Sequence, residues 1–92
     1  MSTLDIHHDA VAGSFEAQVD GGTAECVYRR QGDLMNIVHT EVPPPSEGHG
    51  IAAALVQAAL AHARAQGWRV RPSCSYVRSY MRRHPETQDL LE

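Results

Sequence analysis

A mixed α/β domain of the α+β kind, strands first and then helix, strand and helix, is what three features of this chain predict. Short alternating segments separated by "DGG" and "QGD" turns fill the chain up to Val42. A proline triplet, Pro43 to Pro45, then closes that regime, because proline donates no ladder hydrogen bond. An alanine-rich segment with helical periodicity follows, and after it a short strand and a second helical segment. At 92 residues the chain suits a single domain, 1–92, with one core.

"TLDIHHD" and "SFEAQVD" read as strands, and in the second Phe15, Ala17 and Val19 alternate with Glu16, Gln18 and Asp20. Asp20-Gly21-Gly22 is a hairpin turn, and "TAECVYRR" alternates again, with Ala24, Cys26 and Tyr28 on one face. "LMNIVHTEV" is so rich in apolar and β-branched residues that it reads as a central strand covered on both faces. These segments make an antiparallel meander. Ile51, Leu55, Ala59 and Ala63, with Val56 and Leu60, recur at helical spacing, which predicts a long helix over about 50–66 stopped by Gly67. "WRVRPS" is a further strand ending at Pro72. "SYVRSYMRRH" forms a short helix turning Tyr76, Val77, Tyr80 and Met81 inward before Pro85.

Composition narrows the function classes. Eight basic residues against eleven acidic ones give a formal charge of -3, so no overall basic field draws in nucleic acid or an anionic membrane. No apolar run approaches the roughly 20 residues that span a bilayer, and "MSTLDIHHD" lacks the regions of a signal peptide, so a cytoplasmic protein is expected. Cys26 and Cys74 match no zinc spacing and read as free thiols. Of the six histidines, the neighbours His7 and His8 would point to opposite faces of one strand and His39, His49, His62 and His84 fall on separate elements, so no metal site is expected.

The junction "PSEGHGIAA" sits just past the carboxyl end of the central strand, where open sheets tend to bind ligands. A P-loop is excluded, since the chain has no lysine. The loose G-x-G-x-x-A pattern of Gly48 to Ala53 lacks the acidic residue that a dinucleotide site needs about 20 positions on. What remains is an anion held at a helix N-terminus, where unpaired N–H groups and the helix dipole converge.

Here "HTEVPPPSEGHGIAAALVQAAL" followed by "RPSCSYVRSYMRRHPE" resembles the minimal single-domain members of the GNAT acetyltransferase superfamily. The resemblance implies a GNAT-like fold in which the central strand splays from the final strand, and it implies acetyl-CoA (coenzyme A) as acyl donor. The pyrophosphate loop of that family, Q/R-x-x-G-x-G/A, maps onto Pro45 to Gly50. Pro45 stands at the basic or amide position and Glu47 adds a negative charge, so binding would rest on the N–H groups of Gly48, His49, Gly50, Ile51 and Ala52. The resemblance also implies that the backbone of Thr40, Glu41 and Val42 pairs with the pantetheine arm as an added strand would. An N–H near Val42 would then polarise the thioester carbonyl.

Acyl transfer to an amine asks for a nucleophile, a polarised carbonyl and a proton source for the departing thiolate. Cys74 directly precedes a helix, whose dipole can lower a thiol pKa, and is the best nucleophile in the chain. In the resembling proteins a cysteine at this place is a candidate for an acyl-cysteine intermediate. Tyr80 matches a tyrosine of those proteins and would donate to the CoA sulfur; a ring packed in the core is the structural alternative. His39 and Glu41 share a face of the central strand by two-residue alternation, so either can accept a proton. His84 is a further base candidate, although a histidine at a helix end also stabilises the dipole. Arg78, Arg82 and Arg83 make the last helix locally basic. Cys26 reads as core.

The expected function is transfer of an acetyl group to an amine acceptor by a monomer or weak homodimer, with no part for nucleic acid, membrane or metal. A non-catalytic CoA-binding module or sensor is the alternative, and a helix-terminus site for an unrelated nucleotide is a third reading.

Overall fold

The computed structural model describes residues 4–92; Thr3, at the start of the first expected strand, lies outside the described residues. Five strands form one sheet in the order β1-β2-β3-β4-β5: β1 His7–Asp9, β2 Ser14–Val19, β3 Gly22–Gln31, β4 Leu34–Glu41 and β5 Arg69–Pro72. The first four make an antiparallel meander through short turns, and β5 joins β4 in parallel after the crossover helix α1, Ile51–Gln66. A parallel neighbour needs such a crossover, which is why the strand order follows the sequence order even across the helix. A second helix α2, Ser75–Arg83, and a 3-10 turn over Pro85–Leu90 complete the fold.

The core lies on one side of the sheet. Phe15, Ala17, Ala24, Cys26, Tyr28, Met35, Ile37 and Val70 are the buried alternates of four strands, and α1 sets Leu55, Val56, Ala59, Leu60 and Ala63 against them. Val77, Tyr80 and Met81 of α2 join the same cluster. The expectation that β4 is covered on both faces is corrected here. Met35 and Ile37 are fully buried, whereas Leu34, Asn36 and Val38 on the other face are only half-buried. With 92 residues, two helices are all the chain has to lay over a five-stranded sheet, and both go to one face.

Two local features shape the end of β4. Val27 pairs with His39 but Tyr28 pairs with Ile37, so β4 carries one extra residue, Val38, as a bulge. The bulge reverses which side chains face the core: Ile37 points inward, and beyond Val38 it is Thr40, opposite buried Cys26, that does so. His39 and Glu41 are thereby turned to the open face. The second feature is the length mismatch with β5, whose pairing ends at Ile37 opposite Pro72 while β4 continues to Glu41.

The proline triplet is seated on the β2–β3 hairpin. A Cβ on Gly21, whose φ is +94°, would come within 2.9 Å of the Pro45 ring, and the Ser46 hydroxyl donates to the Asp20 carbonyl at 2.8 Å. Pro44–Ser46 form a single 3-10 turn that delivers the chain to Gly50, the N-cap of α1.

Candidate active site

A cleft of about 400 Å³ opens where the free end of β4 meets the start of α1. Thr40 and Val42 form its strand side, Gly48, Gly50, Ile51 and Ala52 its loop and helix side. These six were expected from the sequence to hold a cofactor. His49, named with them, is exposed and is not among the lining residues. Ser46, Glu47, Ala53 and Tyr76 also line the cleft; of these the sequence reading had singled out only Glu47, as a negative charge in the loop.

The helix end is built to leave its donors free. Gly50 is in the left-handed region at φ +76° and offers no side-chain cap, and the first intrahelical bond is the one Ala54 N–H donates to the Gly50 carbonyl at 3.1 Å. The N–H groups of Ile51, Ala52 and Ala53 therefore stand at the positive end of a 16-residue helix with no acidic residue in its first turn. Ten residues line the cleft and none is basic; Glu47 is the one charged member.

The strand side offers backbone. The last bond between β4 and the segment after β5 is donated by Cys74 N–H to the Ile37 carbonyl at 2.9 Å. From Val38 to Glu41 no described strand borders that edge, so an extended ligand could pair there as a strand does.

Cys74 is the N-cap of α2 and half-buried, behind the cleft wall: it is not a lining residue but contacts Thr40, which is, with Sγ 3.6 Å from the hydroxyl. Burial raises the thiol pKa, but hydrogen bonds with the Val77 N–H, the Thr40 hydroxyl and the Tyr76 N–H outweigh it, and the net shift is downward. Cys26 lies on the other side of Thr40. Its burial pushes the thiol up to about 11, in spite of its own hydrogen bond with Thr40.

Tyr80 takes the structural alternative, a ring packed in the core. It is buried with its ring stacked 4.1 Å above His84, beside Gln57, Leu60 and Ala61 of α1. One helical turn earlier, Tyr76 occupies the cleft. Residues four apart share a helix face, and of the two tyrosines it is Tyr76 that lines the cleft. His84 itself lies beneath Tyr80 and 3.3 Å from Glu86, away from the cleft. Arg78 is spent on the carbonyls of Pro72 and Ser73. His39 and Glu41 do share a face, with Nε2 and Oε1 3.0 Å apart, but it is the face opposite Thr40 and Cys74. A group bound against the β4 edge would have Thr40 and Cys74 on one side and His39 and Glu41 on the other.

Comparison with known proteins gives a consistent picture. The family model described as GCN5-related N-acetyl-transferase matches residues 14–90. Protein NATD1 from Gallus gallus is 29% identical over 90 residues, covering 95% of this chain and 82% of that one. Protein NATD1 from Mus musculus is 30% identical over 88 residues, covering 92% and 80%. A GCN5-like protein from Staphylococcus aureus, solved by NMR in solution, superposes with a TM-score of 0.77 at 28% identity over 100% of this chain and 91% of that one. No described helix is long and apolar enough to cross a membrane.

Proposed function

The chain belongs to the GCN5-related N-acetyltransferase family, and from that premise we propose that it takes the acetyl group of acetyl-CoA and passes it to an amine. One observation carries this reading: the unpaired end of β4 and the uncapped start of α1 open into the same cleft. A diphosphate needs convergent N–H donors, and an amide-bearing arm needs a strand edge. Both are present and adjacent, so the residues fit the donor that the family uses. When bound, acetyl-CoA supplies an acetyl group activated as a thioester.

The protein's part is positional and acid–base. Ile51, Ala52 and Ala53 hold negative charge with main-chain N–H groups, and Gly48 and Gly50 keep side chains out of the way. An N–H near Val42 polarises a carbonyl laid along the strand edge. Tyr76, which lines the cleft, takes the proton-donor role for the departing sulfur that the sequence reading gave to Tyr80. His39, held by Glu41, faces solvent on the other side of the edge and accepts the amine proton. A covalent route would use Cys74 as nucleophile, a reading supported by its lowered pKa and its contact to the cleft residue Thr40.

Release of free CoA thiol from acetyl-CoA, measured over a panel of primary amines, tests the proposal. Turnover with at least one amine is the expected result. Binding of acetyl-CoA without any release would leave the non-catalytic module as the correct reading. Rapid-quench mass spectrometry of the intact chain separates the two routes: one acetyl group on Cys74 supports the covalent route, and an unmodified chain during turnover supports direct transfer.

A further inference from the structure

On the open face of the sheet, Glu25, His39 and Glu41 bring a carboxylate, an imidazole nitrogen and a second carboxylate within 4.8 Å of one another. We propose that these three residues bind a divalent transition-metal cation of the zinc, nickel or copper class. The geometry follows from the strands. His39 and Glu41 are two apart on β4 and so share a face, and Glu41 lies directly opposite Glu25 on β3. A tripod from an i, i+2 pair and its cross-strand neighbour leaves the remaining coordination positions pointing away from the sheet, toward water.

Three observations support a cation there. First, the bulge at Val38 is what places His39 on this face; without it, His39 would follow Met35 and Ile37 into the core. Second, two carboxylates directly opposite each other repel, and among the described residues no arginine forms an ion pair with either. Among the described residues the only ion pair there is the one between His39 and Glu41, so Glu25 has no cationic partner. Third, the spacing is close to what is needed. Metal–ligand bonds of about 2.0–2.1 Å in a tetrahedron put neighbouring donor atoms about 3.3 Å apart. His39 and Glu41 are already at 3.0 Å, and side chains that are 51% and 64% exposed can close the rest by rotation.

Mixed imidazole and carboxylate donors select the later first-row divalent ions over magnesium or calcium, which want oxygen ligands only. The sequence reading missed the site because it compared histidines with one another, whereas the partners here are carboxylates brought in by strand register. A metal on His39 would also remove the lone pair that the proposed transfer reaction needs, so acetyl transfer and metal binding would compete; the site itself does not depend on that reaction.

Calorimetric titration of the tag-free, chelator-stripped chain with zinc chloride at neutral pH tests the site. One zinc per chain is expected. Glu25→Gln and His39→Ala should each weaken it on the order of ten-fold or more, while a His7→Ala, His8→Ala double variant should bind as the unaltered chain does. Paramagnetic cobalt(II), added substoichiometrically, should broaden the His39 ring resonances before those of any other histidine. Zinc affinity unchanged in Glu25→Gln and His39→Ala, or loss confined to the His7 and His8 variant, or cobalt broadening that spares His39, overturns the proposal.

Discussion

Cys74 Sγ stands 3.6 Å from the Thr40 hydroxyl, and through that contact the first turn of α2 touches the end of β4 that outruns β5. The same hydroxyl is shared with Cys26, so a single threonine faces one thiol whose pKa is lowered and another whose pKa is raised. Helix start, strand end and core are coupled at this point, directly behind the cleft.

The two thiols should therefore react differently. At neutral pH, iodoacetamide is expected to label Cys74 and leave Cys26 intact, since Cys26 is fully buried and titrates at about 11. Thr40→Val removes one hydrogen bond to the Cys74 sulfur and should move the midpoint of its rate–pH curve upward, with slower labelling at pH 7. Peptide mapping of the labelled chain reads both effects. Equal labelling of the two cysteines would contradict the placement of Cys26 in the core.

Tyr76 and Tyr80 should separate cleanly. Tyr76→Phe keeps the ring in the cleft and deletes the hydroxyl, so it should lower acetyl transfer by roughly a hundred- to ten-thousand-fold, the scale of a lost general acid, with little change in Tm. Tyr80→Phe should leave transfer unchanged, because its ring is stacked on His84 and outside the cleft. Tyr80→Ala, which empties a core position, should cost about 3–5 kcal/mol of stability. Steady-state rates and urea melts on the three variants make the comparison.

The reading of the sequence reached the element order, the ends of α1 and β5 and the cleft-forming loop, because each is announced by residues with strong local meaning: Pro43 to Pro45, Gly50, Gly67 and Pro72. It did not reach the bulge at Val38, which depends on how β3 and β4 pair and leaves no glycine or proline to mark it. That one residue decides that Thr40 joins Cys26 and Cys74 while His39 and Glu41 face the open side. Tyr76 was missed for a related reason. Periodicity fixes the face of α2, but which turn reaches the cleft depends on how α2 sits along α1 and the β4 end.

Glu47 should weaken anion binding in the proposed site. It lines the cleft as an acidic residue among uncapped N–H donors, and no basic residue there offsets it. Glu47→Gln should tighten CoA binding, and Glu47→Lys should tighten it further, each step by no more than about 1 kcal/mol because the position is exposed. The gain should shrink as salt is raised. Titration of the three proteins with CoA at low and high ionic strength measures it, and identical affinities would mean that the phosphates bind elsewhere.

Acid should loosen the opposite end of the sheet, where His8 stacks on Phe15 with ring centroids 4.2 Å apart, shares a 2.6 Å hydrogen bond with the Tyr28 hydroxyl and meets the edge of His62 at 4.5 Å. Burial lowers the His8 pKa and His62 lowers it further, against a smaller opposing pull from Asp9. The unfolded chain then binds the His8 proton more tightly than the folded one. The stabilisation from neutral His8 is complete above the unfolded value of 6.5 and is lost as pH falls through the lower folded value. Tm measured from about pH 7 down to about pH 5 should fall for the unaltered chain, across the range where histidine titrates. His8→Phe keeps an aromatic ring against Phe15 and cannot titrate, so its Tm should fall less over the same range. A parallel fall in both proteins would place the acid-sensitive group outside this stack.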